Sequence, residues 1–385
     1  MRRQHLPRFV LSVLALLLLT GGCSLLPQTA SRPSSVPGEP GSPSAPPHTA
    51  PPSPAQALHG WAVGFATRGC VGCIDTPVVL HAHNGKVWSL EPSGLGNATL
   101  HQVLFVNRQN GWILGTDETA DASIVLTTTD AGRTWALRYA LAYRPTEEAL
   151  NSLSFVNPQD GWAAGVNEYT NSPVVLATTD GGRHWTAQRA PGSGGLSAID
   201  FVNTRNGWAV GAGGILATTD GGRTWAFQQG SSVAANLTSI DFVNPRDGWA
   251  AGWASKCCPI THVRPYVLAT ADGGRTWQVQ ETPAVDAFLQ SVDFVNARDG
   301  WAVGGPYILA TTDGGRTWRV QYHRTGAGLR SVSFAGERTG WAVGDGGLIL
   351  ATTDAGRTWR AQSVPGSAAN AFLQGVYILR PSAGS

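Results

Sequence analysis

Six aspartates recur in one pattern, D-x-G-x-T-W: Asp130, Asp180, Asp220, Asp272, Asp313 and Asp354. Each is followed five residues later by tryptophan, and His184 once stands for the threonine. Carboxylates could do glycoside hydrolysis, which usually needs two of them flanking the bond, or a tyrosine nucleophile in some families. Six copies in the same turn setting point instead to a structural duty, each side chain accepting from its own turn's amide N–H groups. Glutamate is sparse, with Glu91, Glu118, Glu147, Glu148, Glu168, Glu281 and Glu337 the only ones beyond residue 56. Glu168-Tyr169 is the nearest Glu/Tyr pair, but neighbours on a strand point to opposite faces. No Ser/His/Asp set or phosphate-cradling loop stands out. The expectation is a non-catalytic protein with no cofactor and no metal.

Sulfur is the second reactive group. Beyond Cys23 there are four cysteines, Cys70, Cys73, Cys257 and Cys258. They allow three pairings, and outside the cytoplasm disulfides are the default. A zinc site using these thiols, with His262, is possible by ligand type. Compartment ranks disulfides first.

The elements that must position these groups are short strands. In residues 196–225, Leu196 to Val202 alternates apolar and polar residues, the period of a half-buried strand. Asn203 to Gly207 is turn chemistry, Trp208 to Gly211 a second strand, and Ile215 to Thr219 a third. Asp220-Gly221-Gly222 turns into a fourth that starts at Thr224-Trp225. One such sheet cannot bury two apolar faces alone and needs copies of itself on both sides. The copies are visible. Gly-Trp pairs at the repeat position end at Trp61, Trp112, Trp162, Trp208, Trp249, Trp301 and Trp341. A seventh, degraded turn runs from His83 to Trp88, with His83 read at the aspartate position. Only Trp253 lies off both tryptophan positions. A period of 40–52 residues is that of propeller blades. The expected fold is all-β, a seven-bladed propeller of four-stranded blades.

The first unit begins directly at Gly60-Trp61, and an orphan segment, Ala371 to Leu379, follows the last. This segment matches Ala287 to Val295, the first strand of blade six. It is therefore expected to complete blade one and close the ring.

Residues 1–22 read as a signal peptide, with Arg2, Arg3 and Arg8 before the apolar run Val10 to Leu19. The run ends in Leu19-Thr20-Gly21-Gly22-Cys23, which resembles the lipobox of bacterial lipoproteins. That resemblance implies lipidation of Cys23 and an extracytoplasmic protein anchored to the cell membrane. Residues 23–56, rich in Pro and Ser, read as a tether with a reach on the order of 100 Å at about 3.1 Å per residue. Residues 57–385 are the propeller. With the three n-region arginines removed, 24 basic side chains (27 − 3) face 25 acidic ones. Near-neutrality argues against bulk nucleic-acid binding. A monomer is expected.

The Asp-Gly-Gly-Arg-Thr-Trp turns resemble the Asp-box (BNR) repeats of sialidases and related propellers. The longer unit, F-V-N-x-x-D-G-W-A-x-G before I-L-A-T-T-D-G-G-R-T-W, resembles the photosystem II stability/assembly factor family over residues 58–379. The resemblance implies an exported seven-bladed propeller that binds partner proteins, here another membrane or secreted protein, during assembly of a membrane complex. The alternative is an Asp-box carbohydrate-active or carbohydrate-binding protein. The sialidase Arg-Ile-Pro segment is absent.

Strand order divides the loops. First-to-second turns and Asp boxes share one face, which carries Arg133, Arg183, Arg223, Arg275, Arg316 and Arg357 as a ring of positive charge. Longer loops and blade links share the other face. There Arg144, Trp253, Arg264 and Tyr266 are the expected protein-binding anchors, since variable loops on a rigid scaffold carry binding and aromatics with arginines dominate it.

Overall fold

The computed structural model describes residues 58–67, 75–143, 147–228, 235–255, 263–326 and 328–380. These lie in the compact unit Gln56–Ser385. The leader, Cys23, the tether, Arg144 and the cysteines Cys70, Cys73, Cys257 and Cys258 lie outside the described residues.

Seven four-stranded antiparallel sheets form a ring of blades. Blade four shows the plan: Leu196–Phe201, Gly207–Gly211, Gly214–Thr218 and Ala226–Phe227, each strand bonded to the next. The first strands of all the blades line a central channel. Blade one departs from the plan as expected. Its strand order places Phe372–Ile378 beside Gly60–Ala66, then Thr76–Ala82 and Trp88–Glu91. The first and last strands of the propeller are thereby joined in one sheet, and blade one has four strands like the others.

The repeated residues explain themselves at the blade junctions. Trp208 of blade four stacks on Phe242 of blade five, and Trp249 on Phe294 of blade six, each with ring centroids 3.5 Å apart. The Asp-box tryptophan of the same blade meets that phenylalanine edge-on, as Trp277 does Phe242 at 5.8 Å and 87°. Offset-stacked and edge-to-face contacts are the favoured aromatic geometries. Glycine precedes the repeat tryptophan because the phenylalanine ring lies over it. A Cβ on Gly207 would stand 2.4 Å from the Phe201 ring.

Hydrogen bonds join the blades along the channel wall. Asp200 Oδ2 accepts from the Phe242 amide at 2.8 Å, Asp241 Oδ2 from Phe294 at 2.6 Å, and Asp293 Oδ2 from Phe334 at 2.9 Å. Ser154 and Ser333 fill the same role towards Phe201 and Ile378. The Tyr377 hydroxyl donates to the Phe105 carbonyl at 2.5 Å, linking the closing strand to blade two.

Candidate protein-binding site

Each Asp box is a closed hydrogen-bond unit. In blade four, Asp220 Oδ1 accepts from the Thr224 amide at 2.9 Å and from Thr218 Oγ1 at 2.8 Å. Its Oδ2 accepts from Thr224 Oγ1 at 2.6 Å. Thr218 Oγ1 in turn accepts from the Gly222 amide. The same set recurs at Asp130, Asp272, Asp313 and Asp354. At Asp180 the ring of His184 replaces the threonine hydroxyl. Donors concentrated on the ionised form hold these acids down. Asp220, bonded by the Thr224 hydroxyl and amide, falls to about 2, and Asp272 and Asp354 likewise fall to about 2. Their oxygens are committed to the turn.

The boxes also fasten neighbouring blades. The indole N–H of Trp208 donates to the Gly273 carbonyl in the next box at 3.0 Å, and that of Trp249 to Gly314 at 2.8 Å. The box and the first-to-second turn sit together, since the Gly221 amide donates to the Arg205 carbonyl and the Gly273 amide to that of Arg246. The expected division of faces holds.

On this face the arginines stand out from the turns. Arg133, Arg183, Arg223, Arg275, Arg316 and Arg357 are all exposed. Among the described residues none of the six has a carboxylate within ion-pair distance. Arg205, Arg246, Arg298 and Arg338 are exposed in the adjoining turns. Neighbouring carboxylates are occupied: Asp160, Asp247 and Asp299 accept from Asn157, Asn244 and Asn296. The rim thus presents projecting guanidinium groups above acids already bonded within their own turns. Guanidinium matches carboxylate as a planar, two-toothed donor.

The opposite face differs from the sequence expectation. Blade five carries a lengthened hairpin rather than a loose loop at Trp253, Arg264 and Tyr266, with Trp253 paired to Pro265 and Ala254 to Arg264. Trp253 is buried, its ring edge-on to Phe288 at 5.1 Å. The Tyr266 side chain packs on the blade four–five core, its hydroxyl is buried, and burial raises its pKa. These two aromatics are packed into the fold, on a hairpin that runs three rungs past Gly252–Tyr266. Arg264 is exposed. Glu168 does find a tyrosine, but it is Tyr143, whose hydroxyl donates to Glu168 Oε2 at 2.7 Å and is thereby held above its ordinary pKa. Tyr169 projects into solvent.

In the channel, Asp200, Asp241 and Asp293 gather around one cation, Arg380, which donates to Asp293 Oδ1 at 3.1 Å and to the Phe294 carbonyl at 3.0 Å. Burial, and for Asp200 and Asp293 the nearby Asp241 charge, push the carboxyls above the ordinary range. Sequence reasoning missed this cluster. The repeated I/V-D-F triplet was visible, but not that successive copies face one channel.

A seven-bladed ring fastened by Asp boxes, with a rim of exposed arginines on the Asp-box face, defines an Asp-box propeller. The chain belongs to the family described as photosynthesis system II assembly factor YCF48, whose model matches residues 82–193, 187–257, 260–324 and 274–371. Among solved structures it is similar to YCF48 bound to a D1 peptide, at 20% identity and TM-score 0.53 over 75% of this chain and 94% of that one. It is also similar to YCF48 from Cyanidioschyzon merolae, at 21% identity and TM-score 0.50 over 69% and 87% of the two chains. The WD40 repeats of RRP9 superpose as well, at TM-score 0.54 and 7% identity over 72% and 83%. Superposition therefore reports the ring, and the family rests on the repeat sequence. No curated protein matches the chain.

Proposed function

We propose that this propeller is a non-catalytic binding protein for an extended, carboxylate-bearing segment of a membrane-complex subunit, working outside the cytoplasm. The observation that carries the reading is the rim of six exposed Asp-box arginines with no ion pair among the described residues. It is supported by the family and by the YCF48 relative held with a D1 peptide. Arg264, exposed on the opposite face, offers a second, smaller contact. Lipidated Cys23 anchors the monomer, and the tether sets its reach. The thiols of Cys70, Cys73, Cys257 and Cys258 pair as disulfides.

The test is crosslinking and affinity capture from native membranes with three proteins: wild type, an Arg223→Ala/Arg275→Ala/Arg316→Ala variant, and Arg264→Ala. Salt-sensitive recovery of one membrane complex, lost in the triple variant and kept in Arg264→Ala, supports the rim. The reverse pattern moves the site to the blade-five hairpin. Recovery of no protein by any of the three overturns the reading, and a glycan screen then follows. Cys23→Ser should move the protein from the membrane to the soluble fraction, and intact-mass measurement with and without reductant reads the thiols.

A further inference from the structure

Blade one breaks the repeat at three positions, and the three replacements converge. His59 stands where the other blades carry Asn110, Asp160, Asn206, Asp247, Asp299 and Thr339 just before the repeat Gly-Trp. His81 pairs with Trp61, a position held in every other blade by alanine or threonine, as Ala217 opposite Trp208. His83 follows in the hairpin. The hairpin is one residue shorter than an Asp box, because Gly60 pairs with Ala82 as Gly207 pairs with Thr218. In consequence Asn84, and not His83, does the aspartate's work: its Oδ1 accepts from the Lys86 and Val87 amides at 3.1 and 3.2 Å. His83 is released from the turn. This corrects the sequence alignment of the seventh box.

One ring nitrogen from each of His59, His81 and His83 lies within 4.8 Å of the others. His59 Nδ1 and His81 Nε2 are 3.4 Å apart. Two imidazoles on a tetrahedral zinc with bonds of 2.0–2.1 Å would have nitrogens separated by about 3.3–3.4 Å. The His81 ring is locked by stacking on Trp61 at 4.7 Å and 12°. It is fully buried, and its Nδ1 has no partner among the described residues. Glu91, held by the Ser89 hydroxyl at 2.8 Å, places Oε1 3.7 Å from His83 Nε2. His83 itself is 55% exposed, so the cluster is open to solvent on one side.

The geometry points to a binding site for a divalent transition metal of the zinc class in blade one, ligated by His59, His81 and His83 with Glu91 as the supporting carboxylate. Imidazole and carboxylate suit zinc, and three protein ligands leave a position for water or a further ligand. A carboxylate beside a ligating histidine orients the ring and raises its basicity. The site also spans the ring closure, since the His59 carbonyl accepts from the Leu379 amide at 3.0 Å just beyond the closing strand. Bound metal would therefore brace the first strand of the chain's own blade-one hairpin, against which the closing strand pairs. The competing arrangement is an N–H···N bond between His59 and His81 with no metal affinity.

The experiment uses the mature chain without a polyhistidine tag, stripped with chelator and titrated with zinc by calorimetry and with cobalt(II) by visible absorption. Expected are one zinc per chain, cobalt bands of tetrahedral intensity without thiolate charge transfer, and a melting temperature that rises with zinc concentration. His83→Gln, chosen because the side chain is exposed, should keep the metal-free melting temperature and lose the zinc response. Glu91→Gln should weaken affinity roughly ten- to a hundredfold. His59→Gln serves as the second ligand variant. The proposal is overturned by no stoichiometric binding, by binding unchanged in both histidine variants, or by thiolate bands assigning the metal to the cysteines.

Discussion

Trp208 lies face to face with Phe242 of the following blade, ring centroids 3.5 Å apart and planes within 6°. The same contact recurs as Trp162 on Phe201, Trp249 on Phe294 and Trp301 on Phe334. At the last junction Trp341 faces Gly60 and meets Trp88 edge-on at 4.8 Å. Each blade thus presents one aromatic plane to its neighbour. Phe242→Ala should cost about 3–5 kcal/mol, because a buried ring is lost from between two tryptophans and the rigid sheets cannot close the cavity. Denaturant midpoints at constant slope measure it. A loss under about 1 kcal/mol would mean the blades are held elsewhere.

The closing strand carries a larger share. Deleting residues 371–385 removes Leu373, Val376 and Ile378 from the blade-one core and leaves Gly60–Ala66 as an open edge. Loss of a cooperative thermal transition is expected, with the chain prone to edge-to-edge association. An unchanged melting temperature would sink the closure scheme. Tyr377→Phe is the mild version: it forfeits one bond to the Phe105 carbonyl and should cost about 1 kcal/mol, read by the same melt.

The Asp boxes should behave as caps. Asp220→Ala takes away the acceptor of the Thr224 amide and of two hydroxyls at a half-exposed turn. A loss of about 1–2 kcal/mol is expected in urea unfolding, with the blade four–five contacts retained. A substitution that leaves stability untouched but abolishes partner capture would assign the carboxylate to binding instead.

Two sets of carboxyls give opposite pH trends. Asp220, Asp272 and Asp354 are depressed in the folded chain. Their contribution is present above the unfolded value of about 3.9 and is lost as pH falls through about 2. Asp200, Asp241 and Asp293 are raised. Theirs is full below about pH 3.9 and is lost as pH climbs through the raised folded values. Stability should therefore decline on both sides of mildly acidic pH. Asp200→Asn keeps an acceptor for the Phe242 amide and should flatten the neutral limb. If its midpoint against pH parallels wild type from pH 4 to 8, the channel carboxyl does not titrate there.

What the sequence determined by itself was whatever repeats. The Gly-Trp and Asp-box spacings fixed blade number, strand order and the shared face of the turns, because each depends on local strand period and turn chemistry. The match of Ala371–Leu379 to a first strand was enough to expect ring closure. Even the arginine rim was legible, since a residue at a fixed place in a repeated turn must reappear on the same face. Tertiary structure alone decided the departures from the repeat. Blade five's strands extend past Gly252, so Trp253 and Tyr266 turn inward where irregular loops were expected. The channel carboxyls meet only because seven first strands converge on one axis. His59 and His81 are 22 positions apart, yet strand pairing sets their rings together. One residue missing from a hairpin moved His83 out of the aspartate's place and towards them. Register, which flips a side chain with every single-residue slip, is set by pairing across strands and is not written in either strand alone.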